Sequence, residues 1–192
     1  MDHNNQKSKA ETLSALKRIV NVPPDATDIE RKAMIFAYQR HSEINQKRKY
    51  SGKQYIVHPA AVAELVRGVD HTSEMLAAAW LHDVVEDTKV TLEEVRVMFG
   101  QEVYRLVEML TDVSKPEDGN RKTRKKLDHR HTAKASPEAK TIKLADLIHN
   151  SKSIIAKDPG FARVYMREMR DLLEVLKEGD STLWERAYEI AY

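Results

Sequence analysis

The chain has 192 residues, 41% of them hydrophobic and 32% charged, with a formal charge of +2. That length suits one domain with a real core, and the composition excludes a disordered chain. The lack of cysteine excludes a disulfide scaffold and any thiolate metal site. No apolar run approaches the ~18–20 residues of a bilayer span, and the first residues lack the hydrophobic core of a signal peptide, so a cytoplasmic protein is expected.

Helical signals run from end to end, without a convincing alternating strand, an internal repeat or a second-domain linker. Residues 1–8 read as a flexible tail before one domain over 9–192. Leu13, Leu16, Ile19 and Val20 form an apolar stripe that stops at Asn21-Val22-Pro23-Pro24. Thr27 and Glu30 have capping-box spacing and open a helix in which Met34, Ala37, Tyr38, His41 and Ile44 share a face. A polar, basic linker follows over 45–54. Pro59 suits the first turn of a third helix running through Val66, with His58 just before its start. Ser73 is placed to cap a central helix that carries Ala77 to Leu81 and continues through His82 to Asp87. Thr91 with Glu94 makes another capping box, Gly100 is a natural stop, and Val103, Leu106, Val107 and Leu110 mark one more helix. Asp112 to Ala135 reads either as a mobile loop or as a basic helix. Ser136-Pro137 starts a helix carrying Ile142, Leu144, Ala145 and Ile148. Asp158-Pro159 starts another that ends near Gly179, and a last helix over 181–192 turns Trp184 and Ile190 inward. The expected fold is all-α, a compact single-domain bundle.

The central helix carries the unusual residues. His82, Asp83, Glu86 and Asp87 follow an Ala/Leu/Trp run that reads as surrounded by core, where unpaired charge is costly. His82 lies four residues before Glu86 and Asp83 four before Asp87, so on a helix each pair shares a face. A divalent cation is the simplest compensation, since imidazole and carboxylate are ordinary ligands for one. The alternative is a helix end with a solvated acidic turn and a capped histidine. His58 and Asp146, each alone, would be hydrogen-bonded structural residues. Together with His82 and Asp83 they complete two histidines and two aspartates from three helices, a far more specific set.

The run Arg121-Lys122-Thr123-Arg124-Lys125-Lys126, extended by Arg130 and Lys134, has three readings. It is a solvated helix face, a lip that attracts an anionic small molecule, or a nucleic-acid patch. The last ranks third, because aromatic interleaving and a helix-turn-helix signature are both missing. No nucleic-acid or membrane partner is expected.

Three words of the sequence carry a resemblance to a known family. Ser51-Gly52-Lys53-Gln54-Tyr55-Ile56-Val57-His58-Pro59, His82-Asp83-Val84-Val85-Glu86-Asp87-Thr88 and Lys143-Leu144-Ala145-Asp146-Leu147-Ile148-His149-Asn150 occur in that order. They resemble the HD superfamily of metal-dependent phosphohydrolases and, within it, the hydrolase domain of the RelA/SpoT homologues, which degrades the alarmone (p)ppGpp. The resemblance spans residues 28–155 and leaves no room for synthetase or regulatory domains, so a stand-alone small alarmone hydrolase is expected. It implies that His58, His82, Asp83 and Asp146 bind a metal, typically Mn2+ in the family. Glu86 and Asp87 would then orient and help deprotonate the attacking water, Arg48 would pack against the base, and Asn150 would contact the nucleoside. Three positions depart from the family pattern: Tyr50 is an extra residue, Gln54 stands where proline is usual, and Leu147 stands where a basic residue is common.

Nitrogen and oxygen ligands without sulfur suit Mn2+ or a similar ion and argue against a structural zinc site. An acidic centre repels a polyphosphate, so cations are needed nearby. Lys49, Lys53, Lys143 and the basic run are the candidates. The expected reaction is hydrolysis of the 3′-pyrophosphate of (p)ppGpp to GDP or GTP. Rivals are an adenine alarmone, the 2′-phosphate of NADPH, or a non-catalytic alarmone-binding module, the last disfavoured by intact Glu86 and Asp87. Monomer and homodimer both remain open.

Overall fold

Among the described residues seven helices begin on a side chain that accepts a backbone N–H three residues on: Thr27, Thr72, Thr91, Asn120, Ser136, Asp158 and Asp180. Each such cap satisfies a donor that the helix itself cannot, a contribution of about 1 kcal/mol apiece. The computed structural model describes residues 2–192, with side chains from Ala10 onward. Of the tail expected over residues 1–8, residues 2–8 are backbone of the first helix, whose side chains there are not described, and residue 1 lies outside the described residues.

In chain order the helices are α1 (Asp2–Lys17), α2 (Asp28–Glu43), α3 (Val57–Arg67), α4 (Ser73–Leu81), α5 (Val84–Asp87) and α6 (Leu92–Phe99). They continue as α7 (Gln101–Leu110), α8 (Arg121–Thr132), α9 (Pro137–Lys157), α10 (Pro159–Leu173) and α11 (Ser181–Ala191). Among the described residues the only extended pairing is a single bridge between Lys47 and Gln54, so the all-α class is the observed one.

Two helices organise the rest. In α4 every residue from Met75 to Leu81 is buried, because α2, α3, α7 and α9 all pack around it. The 21-residue α9 buries Ile142, Leu144, Ala145 and Ile148 and carries α10 and α11 on its far side. α3 packs on both α4 and α9, so three mutually touching helices bring their side chains to one place. Glu30, expected to return to the α2 cap, is instead fully buried and accepts hydrogen bonds from Arg67 and from the Trp80 indole, the latter at 3.2 Å.

Several expectations need correction. The central helix breaks at the His-Asp doublet: α4 ends at Leu81, Asp83 takes φ −100° and ψ −5°, and α5 restarts at Val84. Thr72, not Ser73, caps α4, and His58 lies inside the first turn of α3. Ile44 is exposed past the end of α2. The segment left open between loop and helix contains α8, with Asn120 as its cap. α10 stops at Leu173, and the turns that follow bring Gly179 onto α9, where a Cβ would meet Leu144 Cδ1 at 2.9 Å. On α11 the buried residues are Leu183, Ala187 and Ala191, with Trp184 and Ile190 only half-buried. The indole N–H of Trp184 explains the rotation: it reaches the Leu173 carbonyl at 2.9 Å, which holds the ring at the rim of the core.

Candidate active site

His58 in the first turn of α3, His82 at the end of α4, Asp83 at the helix break and Asp146 in the middle of α9 converge. His58 Nε2 lies 3.1 Å from Asp146 Oδ1, 3.4 Å from Asp83 Oδ2 and 3.2 Å from His82 Nε2. His82 Nε2 is 3.0 Å from Asp83 Oδ2 and 3.8 Å from Asp146 Oδ1. Ligands about 2.1 Å from a common centre stand about 3.0 Å apart when they subtend a right angle there. The spacing therefore fits a bound divalent cation. His58, His82 and Asp83 form the tightest trio, with ligand atoms within 4.8 Å of one another, and Asp146 closes on it from the two imidazoles.

Each donor is fixed from behind. His82 Nδ1 is 2.8 Å from the Ala79 carbonyl, which can only accept, so Nδ1 carries a proton and Nε2 is the atom turned to the cluster, a ligand once its own proton is displaced. His58 Nδ1 is 2.7 Å from His149 Nδ1. Burial first, then the neighbouring His58 and Arg48, push His149 down to about 4, so it is neutral and able to accept from His58. Tyr55 donates to Asp83 Oδ2, and burial together with the Asp83 charge raises its pKa, so it keeps its proton. The carboxylates of Asp83 and Asp146 resist the burial that would neutralise them. His82 and His58 hold Asp83 well below the usual range, and Lys143 with His58 does the same for Asp146. His82 is pushed up to about 9: burial opposes its charge, but Asp83 outweighs it. In the absence of a cation, then, the cluster offsets its negative charge with a proton.

Glu86 and Asp87 stand beside this cluster on α5 with exposed side chains. Glu86 Oε1 accepts the Asp112 N–H at 2.7 Å, and Asp87 Oδ2 accepts from Gln46 Nε2 at 2.8 Å. Crowding by protein atoms and the nearby Asp112 charge push Glu86 up to about 7. Desolvation and Asp83 raise Asp87 in the same direction. A carboxylate titrating near neutrality is suited to taking and returning a proton. The break at Asp83 matters here, since it separates His82 from the helix that carries the acid pair.

A cleft of about 360 Å³ adjoins the cluster through Tyr55. Of the expected contact residues, Arg48, Lys49 and Asn150 line it, whereas Lys143 does not and instead lies 3.5 Å from Asp146 Oδ2. Arg48 donates to Asn150 Oδ1 at 2.7 Å, and Asn150 Nδ2 donates to Asp146 Oδ1 at 2.7 Å, so this chain of bonds links the cleft to the ligand cluster. Arg121 also lines the cleft, paired with Glu168 and 5.1 Å from the Phe161 ring centroid. Elsewhere in the basic run, Lys125 pairs with Asp112 at 2.9 Å.

Sequence reasoning assigned no role to Tyr55, His149, Phe161 or Tyr165. Tyr55 and His149 stand three residues from His58 and Asp146 within the recognised words, and that spacing was their only signal. Phe161 and Tyr165 are aromatics four apart in the first turns of α10, and both line the cleft.

The HD domain family model matches residues 33–177. The chain is 39% identical over 127 residues to the Xenopus tropicalis protein named guanosine-3′,5′-bis(diphosphate) 3′-pyrophosphohydrolase MESH1, covering 64% of this chain and 68% of that one. It is 36% identical over 148 residues to a Synechocystis protein named "Probable guanosine-3′,5′-bis(diphosphate) 3′-pyrophosphohydrolase", covering 76% of this chain but only 19% of that one. A solved structure described as a metazoan ortholog of SpoT that hydrolyzes ppGpp superposes with TM-score 0.76 at 28% identity, over 89% of this chain and 96% of that one. With the family model matching residues 33–177, most of the chain, and the two-histidine, two-aspartate cluster in place, the chain belongs to the HD domain family.

Proposed function

We propose that the chain is a metal-dependent hydrolase that removes the 3′-pyrophosphate of the alarmone (p)ppGpp, leaving GDP or GTP. The observation that carries this reading is the convergence of four ligand side chains beside an acid pair whose Glu86 is pushed up to about 7. The names of the relatives supply the substrate class.

In the proposed reaction a water oxygen attacks the phosphorus attached to the ribose 3′-oxygen. The bond between that phosphorus and the 3′-oxygen breaks, pyrophosphate departs, and the 3′-hydroxyl takes up a proton. His58, His82, Asp83 and Asp146 would hold the cation, with Mn2+ the best match to two imidazoles and two carboxylates. When bound, it supplies Lewis acidity toward a phosphoryl oxygen and acidifies water. Glu86 accepts the proton released by the attacking water, held in place by the Asp112 N–H, and Asp87 fixes the water from the neighbouring position. Arg48 and Asn150 hold the nucleoside end in the cleft, with Phe161 as an aromatic wall. Lys49 and Lys143 offset phosphate charge as point charges.

The test offers ppGpp, pppGpp, ppApp and NADPH side by side to metal-loaded protein, with products separated by chromatography. Pyrophosphate release from ppGpp that is abolished by chelator and restored by Mn2+ better than by Mg2+ is the expected result. Turnover undiminished in excess chelator would overturn the metal-dependent reading.

A further inference from the structure

A second network of hydrogen bonds, separate from the ligand cluster, runs from the buried end of α2 to Asp87. α2 closes with Asn45 in the left-handed region, φ 50°. Asn45 N–H bonds the Ser42 carbonyl at 2.9 Å and Gln46 N–H bonds the His41 carbonyl at 3.0 Å, the paired closure of a Schellman motif. The Gln46 carbonyl in turn accepts the Tyr55 N–H at 3.1 Å. The backbone of Gln46 is thus fastened from both sides.

The Gln46 side chain spans two groups. Its Oε1 lies 2.6 Å from His41 Nδ1, and its Nε2 lies 2.8 Å from Asp87 Oδ2. An ionised carboxylate only accepts, so the amide nitrogen faces Asp87 and the amide oxygen faces His41, whose Nδ1 must carry a hydrogen. His41 is only 2% exposed, and its ring is 4.7 Å from that of Tyr55, the residue that bonds Asp83. His41 Nε2 has no hydrogen-bond partner among the described residues. Leaving a buried polar atom unpaired is costly, and a carbon-based ring would pack there without that cost. The histidine is explained if its Nδ1–H is what matters. Burial lowers its basicity, which favours the neutral ring with the proton on Nδ1 alone.

We propose that His41 and Gln46 are positioning residues for Asp87, holding its carboxylate in one orientation beside the ligand cluster. The proposal rests on reading Asp87 as one of the water-orienting pair. Asp87 ends a four-residue helix and has an exposed side chain, so without the amide of Gln46 its carboxylate keeps only the Tyr55 hydroxyl as a hydrogen-bonding side chain. A reacting group displaced by about 1 Å can lose on the order of 10²-fold in rate.

Gln46→Met keeps length and removes both polar atoms. It is expected to lower kcat at least about tenfold, while KM for ppGpp and metal content stay near those of the parent and the thermal midpoint falls by a few degrees as the buried His41 Nδ1–H loses its acceptor. His41→Asn, whose amide N–H can replace Nδ1–H, should retain most of the activity that His41→Leu loses. In an Asp87→Ala background, Gln46→Met should cause no further loss. Nitrogen-15 spectra of the metal-free protein should report His41 as the neutral ring protonated on Nδ1. Full activity of Gln46→Met alongside an impaired Asp87→Ala would overturn the proposal and leave the role of Asp87 standing. An undiminished Asp87→Ala would overturn that role itself. An equal loss from Gln46→Met with and without Asp87 would place Gln46 in some other task and also overturn the proposal.

Discussion

The two ends of the site are built from different material. The ligand end is made of side chains on α3, α4 and α9, each buried or nearly so and each held by a partner behind it. The nucleotide end is made of the 45–56 loop, Asn150 and the first turns of α10, with half-exposed side chains joined by polar contacts. Loss of a group from the first end leaves buried charge uncompensated, which close packing cannot absorb. Loss from the second leaves groups that water can solvate. Damage to the ligand end should therefore appear in metal content and kcat, and damage to the nucleotide end in KM.

The largest expected effect tests that contrast directly. His82→Ala and Asp83→Ala should lose bound metal and more than about 100-fold in turnover, beyond the 10–100-fold typical of losing a partner outside the ligand set. Arg48→Ala should keep its metal and raise KM. Metal analysis by mass spectrometry and steady-state kinetics on the three variants decide it. A metal-free Arg48→Ala protein would erase the distinction, through the chain Arg48–Asn150–Asp146.

Next in size is Glu86→Gln, expected to retain metal and nucleotide binding while turnover falls by about 10²-fold or more. A base must be ionised, and Glu86 is pushed up to about 7, so activity should fall as pH drops through that region. A bound cation favours the carboxylate and moves the fall to lower pH. Stability carries the opposite sign. Between the ordinary value of 4.5 and about 7 the folded state holds this proton more often than the unfolded one, so stability falls as pH rises across that window. Glutamine cannot ionise. Metal-free Glu86→Gln should thus melt slightly higher than the parent at pH 8, on the order of 1–2 °C because the side chain is exposed, and equally at pH 4. A lower midpoint at pH 8 would show that the parent carboxylate is not strained.

Tyr55→Phe sharpens the contrast from between the two ends, since Tyr55 bonds Asp83 and also lines the cleft. Removing the hydroxyl should weaken metal affinity by about tenfold with the fold retained, a typical loss for a partner behind a ligand. Titration of the metal-free variant with Mn2+ measures it. Unchanged affinity combined with a raised KM would assign the tyrosine to the nucleotide end.

The ligand end was largely legible in the sequence because buried charge is rare enough to stand out: His82, Asp83 and Asp146 each interrupt an aliphatic run. The partners behind them were not. Tyr55 and His149 are residues that any core can hold, and only the packing of α3 against α4 and α9 gives them a target. The break at Asp83 was equally hidden, since Val84 and Val85 continue the apolar pattern and no glycine or proline marks the kink. Local chemistry was read well where a cap or a proline acted within one turn, as at Thr27, Thr91 and Ser136-Pro137. It misplaced Trp184, because the indole N–H answers to a carbonyl eleven residues earlier and not to its own helix.

The smallest expected effect concerns the base. Arg48 is held by Asn150 at 2.7 Å, so the ligand end sets its direction. Tyr50 donates to Asp158 Oδ2 at 2.9 Å and ties the loop to the start of α10. Beside the Arg48 guanidinium the cleft is lined by the rings of Tyr50, Tyr55, Phe161 and Tyr165. Stacking of this kind accepts any purine, because every base has a π face. Strict choice between guanine and adenine needs buried groups that hydrogen-bond the exocyclic atoms and are left unpaired by the wrong base. Asn150 spends its amide oxygen on Arg48 and its amide nitrogen on Asp146, and the donors left to Arg48 belong to a half-exposed side chain that water can also satisfy. The kcat/KM values for ppGpp and ppApp should therefore agree within about tenfold, roughly 1.4 kcal/mol. A preference of several hundredfold would show that the loop reads the purine edge. In that case Tyr50→Phe, which removes the tyrosine's bond to Asp158 and leaves only the exposed Lys49 pair at 3.7 Å but keeps the ring, should weaken the preference while leaving metal content unchanged.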